Sequence, residues 1–254
     1  MQTIKIKRTV KDEALKLTAF GDSHKGQRYH DISTYDTVLK WLQENKDQEV
    51  LLMGDMIECC IRRYKEDQIL TIDEQIDKIC DDFFPIAEEG RVWGIFQGNH
   101  EARGVIEAGF DPTYRMAREL NIRNLGGGGK VFCVNVKTAG SKKGRNYSIY
   151  AKHGSSGTSR PSGRINSLLR MCEVVNNADL YLHAHVHVRM QHNESPFSID
   201  RDWATMQRQL FVTTGHYLLY EGSYGDRKGY APTGTAGSPR FRLHADEKKI
   251  TVRL

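Results

Sequence analysis

Five times along this 254-residue chain, an apolar run of strand length stops at a short motif of aspartate, asparagine or histidine. Ala14–Phe20 reads as a strand and runs into Gly21-Asp22-Ser23-His24. Residues 49–53 run into Gly54-Asp55, and residues 91–96 into Gly98-Asn99-His100-Glu101. Residues 146–152 end at His153-Gly154, and residues 179–182 lead into His183-Ala184-His185-Val186-His187. Ligands bind at the carboxyl ends of strands in α/β sheets, so this repetition predicts one site assembled from five loops. A glycine adjoins four of the five motifs, which suits sharp turns and a backbone lying close to a bound ion.

Helical patterns separate the strands. Ser33 followed by Asp36 reads as a helix start, with Tyr35, Val38, Leu39 and Leu42 on one face. Ile72, Ile76, Ile79 and Phe83 mark a second helix that Pro85 is expected to interrupt, and Asp111-Pro112 starts another. The second half is richer in strands. Residues 130–137 and 146–152 look paired around the basic turn Lys142-Lys143-Gly144-Arg145, and residues 161–175 read as a helix. Three further strands are expected from Gln209 onward. Alternating strands and helices predict an α/β fold, with a second sheet packed on the first.

The motifs carry seven residues of metal-ligand type: Asp22, His24, Asp55, Asn99, His153, His185 and His187. Singly, each has a plainer reading as a solvated turn, a helix cap or a surface histidine. His185 and His187 are the more specific pair, because alternate residues of an extended segment point the same way. Imidazole with carboxylate suits first-row divalent metals such as manganese, iron, zinc or nickel. Seven ligands exceed one tetrahedral site, so two ions sharing a carboxylate is the economical arrangement. Such a pair activates water and neutralises a phosphoryl oxyanion.

No linker, repeat or low-complexity tract divides the chain, and residues 1–254 are expected to form a single domain. No apolar run approaches the roughly 18–20 residues that cross a bilayer, and the N-terminus lacks the apolar core of a signal peptide. Five cysteines without framework spacing point to buried free thiols and a cytoplasmic setting. A net charge of +5 permits a polyanionic substrate without requiring one.

The ordered motifs resemble the signature of the calcineurin-like metallophosphoesterases: D-x-H, G-D-x-x-(D/E), G-N-H-(D/E), H, and G-H-x-H. Here they read Asp22-Ser23-His24, Gly54-Asp55-Met56-Ile57-Glu58, Gly98-Asn99-His100-Glu101, His153, and Ala184-His185-Val186-His187. The resemblance implies a β-sandwich of two mixed sheets flanked by helices. It implies one divalent ion on Asp22, His24, Asp55 and His187. A second would sit on Asp55, Asn99, His153 and His185, with Asp55 bridging and manganese the favoured metal. It also implies hydrolysis by a metal-bridging hydroxide, with His100 either protonating the leaving oxygen or steadying the phosphoryl group.

The sequence departs from the family pattern at Ala184, where glycine is usual, and at Glu58-Cys59-Cys60, where phosphoprotein phosphatases carry Arg-Gly. The resemblance is therefore closer to the bacterial and phage-type phosphodiesterases and repair nucleases. Glu58 reads as a structural acceptor, His183 as packing around the site, and Arg103 as a phosphate clamp or a surface residue. Gly126-Gly127-Gly128-Gly129-Lys130 is no phosphate loop, since Val131 follows the lysine where Ser or Thr is required. Arg160, Arg164 and Arg170, with the turn at 142–145, are expected to border the cleft and favour a phosphodiester, nucleic acid included. Against nucleic acid, no aromatic-rich platform for bases stands out. The rival readings are a phosphomonoesterase acting on a nucleotide or phosphoprotein, and a catalytically dead scaffold. No membrane partner is expected.

Overall fold

The computed structural model describes residues 3–62, 65–155, 160–200, 203–234 and 236–254. Strands β1 (Thr3–Val10), β2 (Ala14–Phe20), β3 (Gln48–Leu52), β4 (Val92–Phe96), β5 (Asn124–Gly126), β6 (Lys130–Thr138) and β7 (Arg145–Lys152) come from the first part of the chain. They are followed by β8 (Leu180–His183), β9 (Met190–Glu194), β10 (Phe197–Asp200), β11 (Trp203–Met206), β12 (Gln209–Thr213), β13 (Arg240–His244) and β14 (Ile250–Arg253). Helices α1 (Ile32–Glu44), α2 (Ile72–Glu88), α3 (Asn99–Ala108), α4 (Pro112–Glu119), α5 (Pro161–Leu169), α6 (Met171–Val174) and α7 (Tyr224–Arg227) lie between them.

One six-stranded sheet runs β14-β13-β2-β3-β4-β5, with β2 to β5 parallel and β13 and β14 antiparallel. The other runs β1-β6-β7-β8-β12-β9 and is also mixed. Alternation along β2 shows how they stack. Leu15, Leu17 and Ala19 point into the core between the sheets, where they meet Phe132, Val134, Ile149 and Leu182. Phe20 points the other way, into a second core beneath α1, α2 and α4. On the far face of the other sheet, Tyr150, Tyr181 and Phe211 pack beneath α5 and α6, with the last two rings stacked at 4.3 Å. The result is the expected sandwich of two mixed sheets flanked by helices.

Several local expectations are corrected. Helix α1 is capped by Asp31, whose side chain accepts from Thr34 N, and not by Ser33. Pro85 does not interrupt α2. It sits on the exposed face, where the carbonyl left without a donor one turn earlier is on the solvent side of the helix. The helix expected over residues 161–175 is two, parted at Arg170. Strand β1 had no counterpart in the sequence reading, although Ile4 and Ile6 alternate with Lys5 and Lys7 and pair in parallel with β6. All five thiols are free, but Cys133 is exposed and Cys172 half-buried. Among the described residues, no helix is long and apolar enough to cross a membrane.

Candidate metal centre

All seven residues of metal-ligand type meet at the carboxyl ends of strands from both sheets. Asp22 and His24 follow β2, Asp55 follows β3, and Asn99 opens α3 after β4. His153 follows β7, while His185 and His187 follow β8. The loops after β2 and β3 run side by side, with Asp22 N donating to Gly54 O, His24 N to Asp55 O and Lys25 N to Met56 O, each at 3.0 Å. Gly98 lets the next loop close in, because a Cβ there would lie 2.1 Å from Asp55 Oδ1. Glu101, fully buried, accepts from the backbone N–H of Asp55, Met56, Ile57 and Gly98, so one carboxylate ties two motif loops together.

The backbone itself is unusual here. Asp22, His24, Asp55, His185 and His187 all have φ between 49° and 70°, the left-handed region. Aspartate and histidine enter that region more readily than most residues, though still at a cost.

Two compact groups result. Asp22, His24 and His187 form one, with His24 Nε2 3.1 Å from His187 Nε2 and His187 Nε2 3.3 Å from Asp22 Oδ1. Asp55, His153 and His185 form the other, with His153 Nε2 3.3 Å from Asp55 Oδ2. Asn99 Oδ1 joins this second group, 3.2 Å from His153 Nε2 and 2.6 Å from His185 Nδ1. A third cluster, His24, Glu58 and His100, is reached through the opposite nitrogen of His24.

The donor set fits divalent ions on its own chemistry. His24 Nδ1 is bonded to Glu58 at 3.1 Å and His153 Nδ1 to the Met53 carbonyl at 2.9 Å. Each leaves Nε2 facing the cluster, the orientation that partners around a metal site impose on ligating histidines. Asp22 and Asp55 are fully buried carboxylates and require positive charge beside them. Burial opposes ionisation of Asp22, yet His187 and His153 hold it down at about 2. Burial likewise opposes ionisation of Asp55, and His153 and His100 hold it well below the usual carboxylate range. Cations of charge two meet the same demand and free the imidazoles to ligate.

Around this cluster, the remaining residues sort clearly. Glu58 is the structural acceptor expected of it, holding His24 and lying 3.5 Å from His100 Nδ1. His100 Nδ1 donates to the Glu58 carbonyl at 2.7 Å, and its Nε2 accepts from Arg103 Nη2 at 3.0 Å. Burial drops this imidazole to about 4, so the ring is neutral. His183 is packing: it is fully buried, with Ser167 Oγ 3.1 Å from its Nε2. Ala184 keeps negative φ and donates to the His153 carbonyl at 2.9 Å, so no ligand is lost by its replacing glycine.

The cluster floors a cleft of about 790 Å³. Arg103 and Arg164 line it. Arg170 does not, being exposed and paired with Glu173 at 3.3 Å, and Arg160 lies outside the lining too. The basic turn at 142–145 is also elsewhere. It sits at the start of the eight-residue strand that ends at His153, about 25 Å away, and Arg145 bonds the Asp246 carbonyl there. A further wall comes from residues 216, 218–220, 223–225, 230–234 and 236, including His216, Tyr220, Tyr224 and Tyr230. The sequence reading found no aromatic platform because this stretch has no strand or helix periodicity to arrange its rings.

Comparison with known proteins agrees with this geometry. Residues 15–189 match the calcineurin-like phosphoesterase family, and the chain belongs to it. It is therefore a metal-dependent phosphoesterase by family, with clusters of metal-ligand type in the expected loops. Among solved structures, it is similar to a predicted phosphoesterase from Streptococcus pneumoniae TIGR4. That likeness has 12% identity and a TM-score of 0.36, covering 93% of this chain and 87% of that one. It is also similar to zinc-complexed Vps29 from Entamoeba histolytica, with 13% identity and a TM-score of 0.31, covering 94% and 97%. No curated protein matches.

Proposed function

We propose that the chain is a dinuclear phosphodiesterase. Asp22, His24, Asp55 and His187 would hold one divalent ion, with manganese favoured. Asp55, Asn99, His153 and His185 would hold the other, with Asp55 common to both sets. When bound, the ions supply Lewis-acid charge to the phosphoryl oxygens and lower the pKa of water.

The single observation that carries the reading is two adjoining ligand groups in one cleft of about 790 Å³ that Arg103 and Arg164 also line, which is room beyond a single phosphoryl group. A monoester needs room for one substituent on phosphorus and a diester needs room for two. Hydrolysis adds water across one P–O bond, and the departing ester oxygen takes up a proton. Arg103, held by His100, is placed to bind a non-bridging phosphoryl oxygen as the charge redistributes. His100 Nε2 is occupied by that arginine, which supports phosphoryl holding over proton donation for this histidine.

The test is turnover of bis-p-nitrophenyl phosphate against p-nitrophenyl phosphate, after chelation and reloading with single metals. Faster diester cleavage is expected. A monoester preference would replace this reading with phosphomonoesterase, and no turnover with any metal would favour the scaffold.

A further inference from the structure

Phosphoester hydrolysis gives the tyrosine-bearing wall of the cleft no role, yet that wall is built with care. Tyr224 and Tyr230 line it with 41% and 39% of their surface exposed, and their rings meet edge to face at 6.1 Å. Tyr220 lies beside them, and its hydroxyl donates to the Tyr230 carbonyl. The segment is anchored: Gly222 N donates to Asp226 at 2.8 Å, and Arg227 pairs with buried Asp67. His216 connects the wall to the metal-type residues. Its ring stacks on His187 at 5.4 Å and 26°. Its Nδ1 accepts from Leu218 N at 3.1 Å, so Nε2 carries the proton and donates to Thr233 at 3.0 Å.

One cleft thus offers anion-binding chemistry at the metal-type residues, Arg103 and Arg164, and partly exposed aromatic rings in the same lining. A ligand that satisfies all three has a phosphoester and a planar ring joined by a short spacer. Aromatic side chains stack on nucleobases with little preference among them, because every base presents a π-face. We propose that Tyr220, Tyr224 and Tyr230 form a base-stacking subsite, and that the substrate is a phosphodiester bearing a nucleoside. This inference rests on the phosphodiesterase reading above.

Two esters with one leaving group test it: the p-nitrophenyl ester of thymidine 5′-phosphate, and methyl p-nitrophenyl phosphate. The wild type is expected to favour the nucleoside ester in kcat/KM by about tenfold, the usual worth of one base–aromatic stack. Tyr224→Ala and Tyr230→Ala should bring the ratio towards one, and Tyr224→Phe should retain it. A wild-type ratio near one, or a ratio the alanine variants leave unchanged, overturns the subsite while methyl ester turnover keeps the phosphodiesterase reading. If neither ester is cleaved with any divalent metal, that reading fails and binding judges the subsite. Equilibrium dialysis should then retain thymidine 5′-phosphate over ribose 5-phosphate, and Tyr224→Ala should erase the difference. Equal retention of the two by the wild type rejects the inference.

Discussion

His153 Nδ1 donates to the carbonyl oxygen of Met53 at 2.9 Å, bonding the end of β7 in one sheet to the end of β3 in the other. The same ring turns Nε2 to Asp55 at 3.3 Å. A metal-type residue therefore also fastens the two halves of the sandwich together.

His153→Ala is expected to destabilise the chelated protein by about 2 kcal/mol, because it strands the buried Met53 carbonyl and takes the adjacent imidazole from Asp55, whose other oxygen still accepts from His100 N. Urea unfolding in the presence of EDTA measures this free of metal effects. A loss below about 0.5 kcal/mol would show that the sheets need no such fastening.

The proposed sharing of Asp55 between two ions predicts that Asp55→Asn lowers metal content and activity together. Asp22→Asn should weaken mainly the ion beside His24 and His187. Metal analysis of the purified variants, read with turnover, decides it. A fully loaded and fully active Asp55→Asn protein would remove the shared carboxylate from the scheme.

For His100, the hydrogen bond to Arg103 predicts that His100→Asn slows esters with good and poor leaving groups alike, by about 10- to 100-fold, with both metals retained. A loss confined to poor leaving groups would restore proton donation as its role. Metal loss would make His100 a ligand instead.

His30 supplies a pH dependence outside the cluster. Burial lowers its pKa to about 4, and Nδ1 is bonded to the Ser23 carbonyl at 2.7 Å. The unfolded chain, with histidine near 6.5, then binds the proton first as pH falls. Stability from this group is complete above about pH 6.5 and is lost between there and pH 4, by roughly 3 kcal/mol. Denaturation midpoints of the chelated protein across that window check the limb, and His30→Phe should remove this group's share of it while the share of other buried histidines such as His100 remains.

The site was more legible from the sequence than the fold around it. Each metal-type residue announces itself because strand ends are punctuated by glycine and a short polar motif, a local pattern. What depended on tertiary context was missed. The MQHNE stretch of β9 is polar because it lies at a sheet edge, so no apolar run marks it. Pro85 looked like a helix stop because its tolerance depends on which face meets water. Placing Arg164 in the cleft and Arg170 outside it required a helix direction that no spacing supplies. The tyrosine wall lay in irregular chain broken only by the single turn of α7, too short to show a periodicity, so only the completed fold shows which rings face inward.

The left-handed backbone at Asp22, His24, Asp55, His185 and His187 has a consequence for how such a chain changes over generations. Each of these residues holds a conformation disfavoured by on the order of 1 kcal/mol, which glycine or asparagine would relieve. At these five positions a substitution that removes a ligand can therefore relieve backbone strain, in contrast to His153, whose loss costs stability. A lineage released from hydrolysis would drift towards glycine and asparagine at these five positions while its sandwich core stayed intact. A chain that still carries aspartate and histidine at all five holds them against the pull of its own folding stability.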